Sequence, residues 1–168
     1  MSYENHQQTA AGETPRCAVI TLSDTRTSKT DVSGQLIRRL LEAAGFVTVT
    51  SFLLREEPVV LGAMLDDLLT RDDVDVILTN GGTGISARDR TIAVVEAVID
   101  TPLPGFGELF RMLSWQQVGS GAMLSRAAGG VAKGKLVFAM PGSPKAVELA
   151  MTRLVLPELK HLLNQLKR

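Results

Sequence analysis

The sequence contains one cysteine, two histidines and a single tryptophan. Cys17 alone cannot form an internal disulfide, which favours a reducing compartment. His6 lies near the start of the chain and His161 near its end, so no His/Cys cluster is available for zinc and no histidine suits a Ser-His-Asp triad. The composition therefore argues against zinc chemistry and triad hydrolysis, and it leaves a hard cation bound by oxygen as the metal to expect.

The chain also lacks an excess of charge of either sign and a long apolar run. Lys+Arg and Asp+Glu both number 18, so no overall field would hold a nucleic acid or an anionic membrane. No run approaches the roughly 20 apolar residues of a membrane-spanning helix. Residues 1–14 are polar, without the basic start and apolar block of a secretory leader. We expect a cytoplasmic protein with no nucleic-acid or membrane partner and a disordered tail over residues 1–14.

Strand-like and helix-like patterns alternate from Arg16 onward, and 168 residues suit one domain. We predict strands over Arg16–Ser23, Phe46–Leu54, Val74–Thr79 and Leu136–Met140. We predict helices over Asp31–Ala44, from Pro58, over Asp89–Ile99, Glu108–Gln116 and Ala122–Ala128, and a long final helix kinked at Pro157. This order predicts a single α/β domain over residues 15–168, a mostly parallel sheet with helices on both faces.

Three turns that follow strands carry chemistry suited to an anion. They are Ser23-Asp24-Thr25-Arg26, Gly81-Gly82-Thr83-Gly84 and Pro141-Gly142-Ser143-Pro144-Lys145. In an open parallel sheet, ligands bind outside the carboxyl ends of the strands, where helix N-termini present free N–H groups. Any one glycine-rich turn could equally be a tight turn that needs positive φ. The three together predict a site for a phosphate-bearing small molecule.

Acidic residues lie beside these turns. Asp89 could hold Mg²⁺ against phosphates, or it could only cap the helix that begins near Thr91. Asp31 could likewise only cap the first helix. Glu56 and Glu57 end the second strand, where an exposed acidic turn is the alternative to a role in the site.

Two familiar signatures do not fit their usual context. Gly82-x-Gly84-x-x-Ala87 matches a loose dinucleotide fingerprint, but it follows a late strand. Gly129-x-x-x-x-Gly134-Lys135 resembles a phosphate loop, but it precedes a strand and continues with Leu136 where Ser or Thr is needed. Neither is expected to bind a nucleotide.

Aromatic and apolar residues crowd the segment after Pro104. More apolar surface collects there than one small domain need expose, so part of it is expected at a subunit contact. The residues are Phe106, Phe110, Met112, Leu113 and Trp115.

Seven short motifs occur in one order from about Arg16 to the C-terminal helix. They are Ser23-Asp24-Thr25-Arg26, Asp31-x-Ser33-Gly34, Thr79 to Gly84, Arg88-Asp89-x-Thr91, Pro104 to Glu108, Leu124-Ser125-Arg126 and Met140 to Lys145. Together they resemble the MogA/MoaB family of molybdenum-cofactor biosynthesis proteins. Residues 105–114 and 138–143 are most similar to the MoaB branch.

The resemblance implies a molybdopterin-binding α/β fold that assembles as trimers, or as hexamers of two trimers. It also implies a Mg²⁺-dependent transfer of AMP from the co-substrate ATP to the terminal phosphate of the substrate molybdopterin. Asp89 would then be a catalytic residue and metal ligand, and Glu56, which stands where adenylyl-transferring members carry aspartate, the second catalytic carboxylate. The implied ligand-binding residues are Ser23, Asp24, Asp31, Ser33, Gly34, Gly81, Gly82, Thr83, Gly84, Arg88, Thr91, Ser125, Pro141, Gly142, Ser143 and Lys145.

Two other functions are to be distinguished from an adenylyltransferase. A non-catalytic molybdopterin-binding or carrier protein would bind the pterin without regard to ATP. A nicotinamide-dependent oxidoreductase would require an acidic residue at the end of a following strand, which the sequence lacks.

Overall fold

The computed structural model describes residues 14–167, so residues 1–13 of the expected tail lie outside it. Its strands are β1 (Arg16–Leu22), β2 (Val47–Leu54), β3 (Val76–Asn80), β4 (Thr101–Pro102), β5 (Ala128–Ala132) and β6 (Lys135–Met140). Its α-helices are α1 (Val32–Ala43), α2 (Pro58–Thr70), α3 (Thr91–Val98), α4 (Pro104–Val118), α5 (Pro144–Ala150) and α6 (Leu156–Leu166). A 3₁₀ helix (Gly119–Leu124) follows α4, and a π-helical turn (Met151–Val155) joins α5 to α6.

The six strands form one sheet in the order β2-β1-β3-β6-β5-β4. Strands β2, β1, β3 and β6 run parallel, while β5 is antiparallel to β6 and β4 is antiparallel to β5. The prediction of a mostly parallel sheet in an α/β fold is therefore confirmed. Parallel pairing sends the carboxyl ends of four strands to one edge of the sheet, where ligands bind in folds of this kind.

Each face of the sheet has its own apolar core. Alternate residues of β1 point to opposite sides, so that Val19 packs with α1, α4, α5 and α6 and Ile20 packs with α2 and α3. Cys17 belongs to the first core, and burial raises the pKa of its thiol to about 12. A thiol held in its neutral form in the core is unreactive. The cysteine is thus a packing residue.

The segment between Thr101 and Gly134 differs from the prediction. Helix α4 begins at Pro104 rather than Glu108, and the helix expected over Ala122–Ala128 is wrong. The 3₁₀ helix ends at Leu124, and β5 begins at Ala128. Strand β5 contains Gly129 and Gly130 because its neighbours approach closely. A Cβ on Gly129 would lie 2.7 Å from the Phe138 ring, and one on Gly130 would lie 2.5 Å from Ile99 Cγ2.

The segment that resembles a phosphate loop lies in the same region. Gly129 lies within β5, and Gly134 has φ +75° in the tight connection to β6. The two strands form an antiparallel hairpin. A hairpin turn presents no helix N-terminus to a phosphate, so the motif lacks the structural context of a phosphate loop.

The irregularity expected at Pro157 lies in the turn that precedes it. Proline lacks an N–H, and its ring clashes with the carbonyl four residues earlier, here that of Arg153. Arg153 lies inside the π-helical turn Met151–Val155.

No helix within residues 14–167 has both the length and the apolar character needed to cross a membrane.

The aromatic segment divides between the core and the surface. Phe106 and Phe110 are buried, and the Phe106 ring packs 5.0 Å from the Phe138 ring between centroids. Met112 and Trp115 are exposed, Trp115 by 61%. The expectation of a subunit contact therefore rests on the exposed residues of α4 and the 3₁₀ helix, which are Leu109, Met112, Trp115, Val118, Met123 and Leu124.

We expect this exposed surface to place the protein above monomer size in sedimentation at micromolar concentration, because such a patch gains free energy when covered. Trp115 is the sole tryptophan, so its emission should shift to the red when dilution separates subunits. Trp115→Lys should sediment as a smaller species. Val59→Lys, at a site on α2 that is 83% exposed, should not. A wild-type protein that is monomeric at every concentration would contradict the prediction.

Candidate functional site

The three predicted turns meet at the carboxyl edge of the parallel strands. The backbone N–H of Gly81, after β3, donates to the Met140 carbonyl at the end of β6 over 3.1 Å. Arg26, in the turn after β1, donates from Nη2 to the Gly142 carbonyl over 2.8 Å. The Ser23 hydroxyl closes its own turn by accepting from the N–H groups of Thr25 and Arg26. The structure thus brings together the segments that the strand order predicts.

A buried network supports this edge from below. Asp31 caps α1, with Oδ1 accepting from Gly34 N at 2.9 Å and Oδ2 accepting from Thr21 Oγ1 at 2.8 Å. Its carboxylate also lies 3.6 Å from Arg26 Nη1. Asp31 therefore caps α1, and its carboxylate additionally holds Arg26 in position.

The start of α1 also fixes the turn after β6. The Ser33 hydroxyl donates to the Gly142 carbonyl over 2.6 Å. A Cβ on Gly34 would collide with the Asp31 carboxylate and lie 2.5 Å from Thr21 Oγ1. Ser33 therefore acts by binding the backbone of the turn after β6, and Gly34 acts by leaving room for the Asp31 cap to pack closely.

The glycines of the turn after β3 are required by close packing within the protein. Gly81 and Gly82 have φ of +101° and +62°, which favours glycine. A Cβ on Gly81 would collide with the Leu22 carbonyl, and one on Gly82 with the Thr91 hydroxyl. The missing side chains therefore allow the turn to pack closely against β1 and α3. Thr83 and Thr91 are buried beside them.

Asp89 lies in the loop between this turn and α3. Its Oδ2 accepts from the Ser86 backbone N–H over 2.8 Å. The residue at the cap position of α3 is Arg90, and no side chain caps that helix, so the capping alternative for Asp89 is wrong. Hydrogen bonding from Ser86 lowers the pKa of Asp89, and the positive charge of Arg126 lowers it further. Asp89 therefore carries its negative charge at neutral pH.

Glu56 and Asp24 come close to Asp89 at the same edge. The Glu56 backbone N–H donates to Asp24 Oδ1 over 3.2 Å, and Arg88 Nη2 lies 3.0 Å from Asp24 Oδ2. Burial raises the pKa of Glu56, the carboxylates of Asp24 and Asp89 raise it further, and Arg88 opposes them. Glu57 is exposed at the start of α2. Asp24, Glu56 and Asp89 thus lie near one another at this edge, and Arg88 pairs with Asp24.

The raised pKa of Glu56 predicts the pH dependence of stability. When the pKa of a carboxyl is higher in the folded than in the unfolded state, its protonation stabilises the fold. This stabilisation is lost as the pH rises through the folded-state pKa. Glu56→Gln should therefore raise the free energy of unfolding at neutral pH, and this gain should shrink as pH falls through the acidic range. Urea unfolding at a series of pH values measures it, with the exposed Glu57→Gln as control. A Glu56→Gln protein less stable than wild type at neutral pH would contradict the argument.

The turn after β6 presents two more predicted residues. Ser143 caps α5, its hydroxyl accepting from Ala146 N over 3.2 Å. Lys145 is exposed in the first turn of the same helix, where its charge is available to an anion at this edge. Pro141 is half-buried between β6 and this cap.

A cavity of about 700 Å³ lies beside this edge, over α3, α4 and the start of β5. Its walls combine apolar side chains such as Ile92 and Met123 with polar residues. Of the predicted ligand-binding residues, only Ser125 lines it. The other polar residues in the wall are Glu96, Glu108, Arg111 and Arg126.

Arg126 connects the cavity to the part of the edge that carries Asp24, Glu56 and Asp89. It lines the cavity, and its Nη2 donates a hydrogen bond to the backbone carbonyl of Asp89. Arg126 is not among the ligand-binding residues predicted from the sequence, although it belongs to the Leu124-Ser125-Arg126 motif. Only that motif could have pointed to it, because 37 residues separate Arg126 from Asp89.

The described residues hold no group of three His, Cys, Asp or Glu side chains arranged to bind a metal unaided. Mg²⁺ commonly takes only one or two protein carboxylates and completes its shell with water and substrate phosphates. Asp89, ionised and beside Asp24 and Glu56, is compatible with such a shared site. The donor set therefore fits Mg²⁺ when phosphates supply the remaining ligands.

Comparison with known proteins gives one consistent result. A family described as probable molybdopterin binding domain matches residues 18–161. Molybdenum cofactor biosynthesis protein B of Bacillus anthracis is 50% identical over 170 residues, covering 100% of this chain and 99% of the relative. The corresponding protein of Halalkalibacterium halodurans is 48% identical over 167 residues, covering 99% and 98%.

Solved structures agree with the sequence relatives. A crystal structure of a molybdenum cofactor biosynthesis protein B superposes with a TM-score of 0.91 at 48% identity, covering 94% of this chain and 99% of that one. The tungsten cofactor synthesizing protein MoaB from Pyrococcus furiosus superposes with a TM-score of 0.83 at 32% identity, covering 94% and 100%.

Proposed function

The chain belongs to the MoaB branch of the MogA/MoaB family of molybdenum cofactor biosynthesis proteins, and we propose that it transfers AMP from ATP to the terminal phosphate of molybdopterin. An oxygen of that phosphate attacks the α-phosphorus of ATP. The bond from the α-phosphorus to the bridging oxygen of the β-phosphate breaks, and pyrophosphate leaves with the electron pair. Binding of molybdopterin is the first part of the proposal, and nucleotide transfer is the second.

The observation that carries the proposal is that the cavity lies beside the edge of the sheet that carries Asp24, Glu56 and Asp89. A volume of about 700 Å³ is of the size that takes a small organic ligand, and its apolar walls with a few polar groups suit a flat heterocycle. Arg126 spans from this cavity to the backbone of Asp89. A pterin in the cavity could therefore direct its phosphate toward the edge where nucleotide phosphates would bind.

Phosphoryl-type transfer depends on positioning and on charge neutralisation, and it needs no nucleophilic side chain. Backbone N–H groups at the turns after β3 and β6, other than the paired N–H of Gly81, and the ammonium of Lys145 would hold nucleotide phosphates. Asp89, with Asp24 and Glu56 close by, would hold Mg²⁺, which supplies charge neutralisation to the phosphates when bound. Arg26, fixed by Asp31, keeps the Gly142 turn in place.

One observation favours the alternative of a non-catalytic carrier. Arg88 already forms an ion pair with Asp24 at 3.0 Å, and a carboxylate neutralised by arginine binds a cation less well. A carrier would hold molybdopterin in the same cavity with the same affinity whether or not ATP and Mg²⁺ were present.

The test is incubation of the pure protein with molybdopterin, ATP and Mg²⁺ under anaerobic conditions, with products identified by mass. Adenylylated molybdopterin and an equal amount of pyrophosphate are expected. Binding of molybdopterin without product, unchanged by ATP, would assign the carrier role. Absence of binding would overturn both parts of the proposal.

A further inference from the structure

Resting on the proposed function, we infer that Arg126 binds the terminal phosphate of molybdopterin and positions it for attack on ATP. The first observation is location. Arg126 lies in the connection between the 3₁₀ helix and β5, in the wall of the cavity, and it reaches the Asp89 carbonyl. It is the described side chain that both lines the cavity and donates a hydrogen bond to the Asp89 loop.

The second observation is the unused hydrogen-bonding capacity of its guanidinium. Arginine carries five N–H donors and no acceptor. Within residues 14–167, Nη2 donates to the Asp89 carbonyl, whereas Nε is buried without an acceptor. No carboxylate of the described residues forms an ion pair with it. A buried donor of a charged group is rarely left unpaired in the functional state of a protein, so the guanidinium is suited to an anionic partner.

The second arginine of the cavity is placed differently. Arg111 Nη1 points to the carbonyls of Ser125 and Ala127, at 3.4 and 3.5 Å, and so braces the segment that carries Arg126. A Cβ on Gly107 would collide with the Ala127 carbonyl and lie 3.0 Å from Arg111 Nη1, so helix α4 approaches this segment closely. These contacts hold the backbone on either side of Arg126.

The proposed reaction requires a cation beside the attacking phosphate. The attacking phosphate and the α-phosphate of ATP are both anionic, and their repulsion opposes the approach that forms the new bond. A planar guanidinium can bind a phosphate through two parallel N–H donors, which neutralises charge and fixes orientation together. Because Arg126 faces the cavity while Lys145 and the glycine-rich turn lie at the strand ends, the phosphate of the pterin is its expected partner.

The test compares molybdopterin with its dephosphorylated form in anaerobic equilibrium dialysis of the full-length protein. Wild type should bind the phosphorylated form more tightly, and Arg126→Gln should lose this preference by about 10- to 100-fold, the scale of a hydrogen bond to a charged group. Affinity for the dephosphorylated form should stay within about twofold, since both forms share the pterin contacts. Arg126→Lys, which keeps the charge without the planar donors, should retain part of the preference. Arg153→Gln, at an exposed position of the π-helical turn, is the matched control.

A purely structural role would weaken both ligand forms equally, and that result would overturn the inference. Wild-type affinity without any preference for the phosphorylated form would overturn it also, while leaving molybdopterin binding intact. Loss of ATP affinity with an unchanged preference in Arg126→Gln would assign the arginine to the nucleotide instead. Failure of wild type to bind either form is the separate outcome that refutes the proposed function.

Discussion

Asp89→Asn is expected to keep the fold and to lower AMP transfer by about 10²-fold or more, the usual scale for losing an electrostatic group that acts in the transition state. The hydrogen bond from Ser86 N to Asp89 Oδ2 would pass to the amide oxygen of asparagine, so the loop should keep its conformation. The negative charge would be lost. Because hydrogen bonding and Arg126 keep Asp89 ionised, that charge is present in the wild type at neutral pH.

Asp89→Ala separates the loop contact from the charge. Alanine removes both, so it should lower the free energy of unfolding by about 1 kcal/mol in addition to lowering turnover. Asp66→Asn, on the exposed side of α2, is the matched control and should leave both quantities unchanged. Melting temperature and the rate of pyrophosphate release measure the two effects. An Asp89→Asn protein as active as wild type would limit Asp89 to bracing its loop.

Gly82→Val is expected to lower the free energy of unfolding by about 2–5 kcal/mol, the combined scale of a strained φ and an overpacked contact. Gly82 has φ +62°, which a β-branched residue rarely adopts, and its Cβ would collide with the Thr91 hydroxyl. Loss of ligand binding in this variant would follow from displacement of the turn and of α3. The variant is thus a test of packing at the turn.

Gly45 provides the control for the free-energy cost of a positive φ. It has φ +75°, and a Cβ added there would meet nothing within 4 Å. Gly45→Ala should therefore report the cost of positive φ alone, and Gly82→Ala should exceed it by the cost of the Thr91 contact. Denaturant unfolding of both variants measures the difference. Equal costs would show that the turn moves freely away from α3.

Four of the six strands and most helices could be predicted because their signals are local. Strand β3 begins with three apolar residues and is buried at every position, and α1 has an apolar face with Asp31 at its start. Strand β5 escaped prediction because Gly129 and Gly130 have low strand propensity. Their small size serves contacts with Phe138 and Ile99, which the sequence order does not reveal.

The candidate site divides in the same way. Chemistry at strand ends predicted that Ser23–Arg26, Gly81–Gly84 and Pro141–Lys145 would converge, and the structure brings these turns together. It did not predict that the glycines would face inward, that Asp31 would hold Arg26, or that the cavity would lie over α3 and α4. Their roles in binding molybdopterin remain a proposal.

By itself the sequence determined the alternation of strands and helices, the parallel character of most of the sheet and the polar turns at its carboxyl edge, because periodicity and turn chemistry act over a few neighbouring residues. Only the tertiary structure decided which way each glycine faces, where the cavity opens and that Arg126 reaches Asp89. Such contacts join residues that are distant in the chain. They depend on the order of the strands and on how closely helices pack across them, which no local pattern specifies.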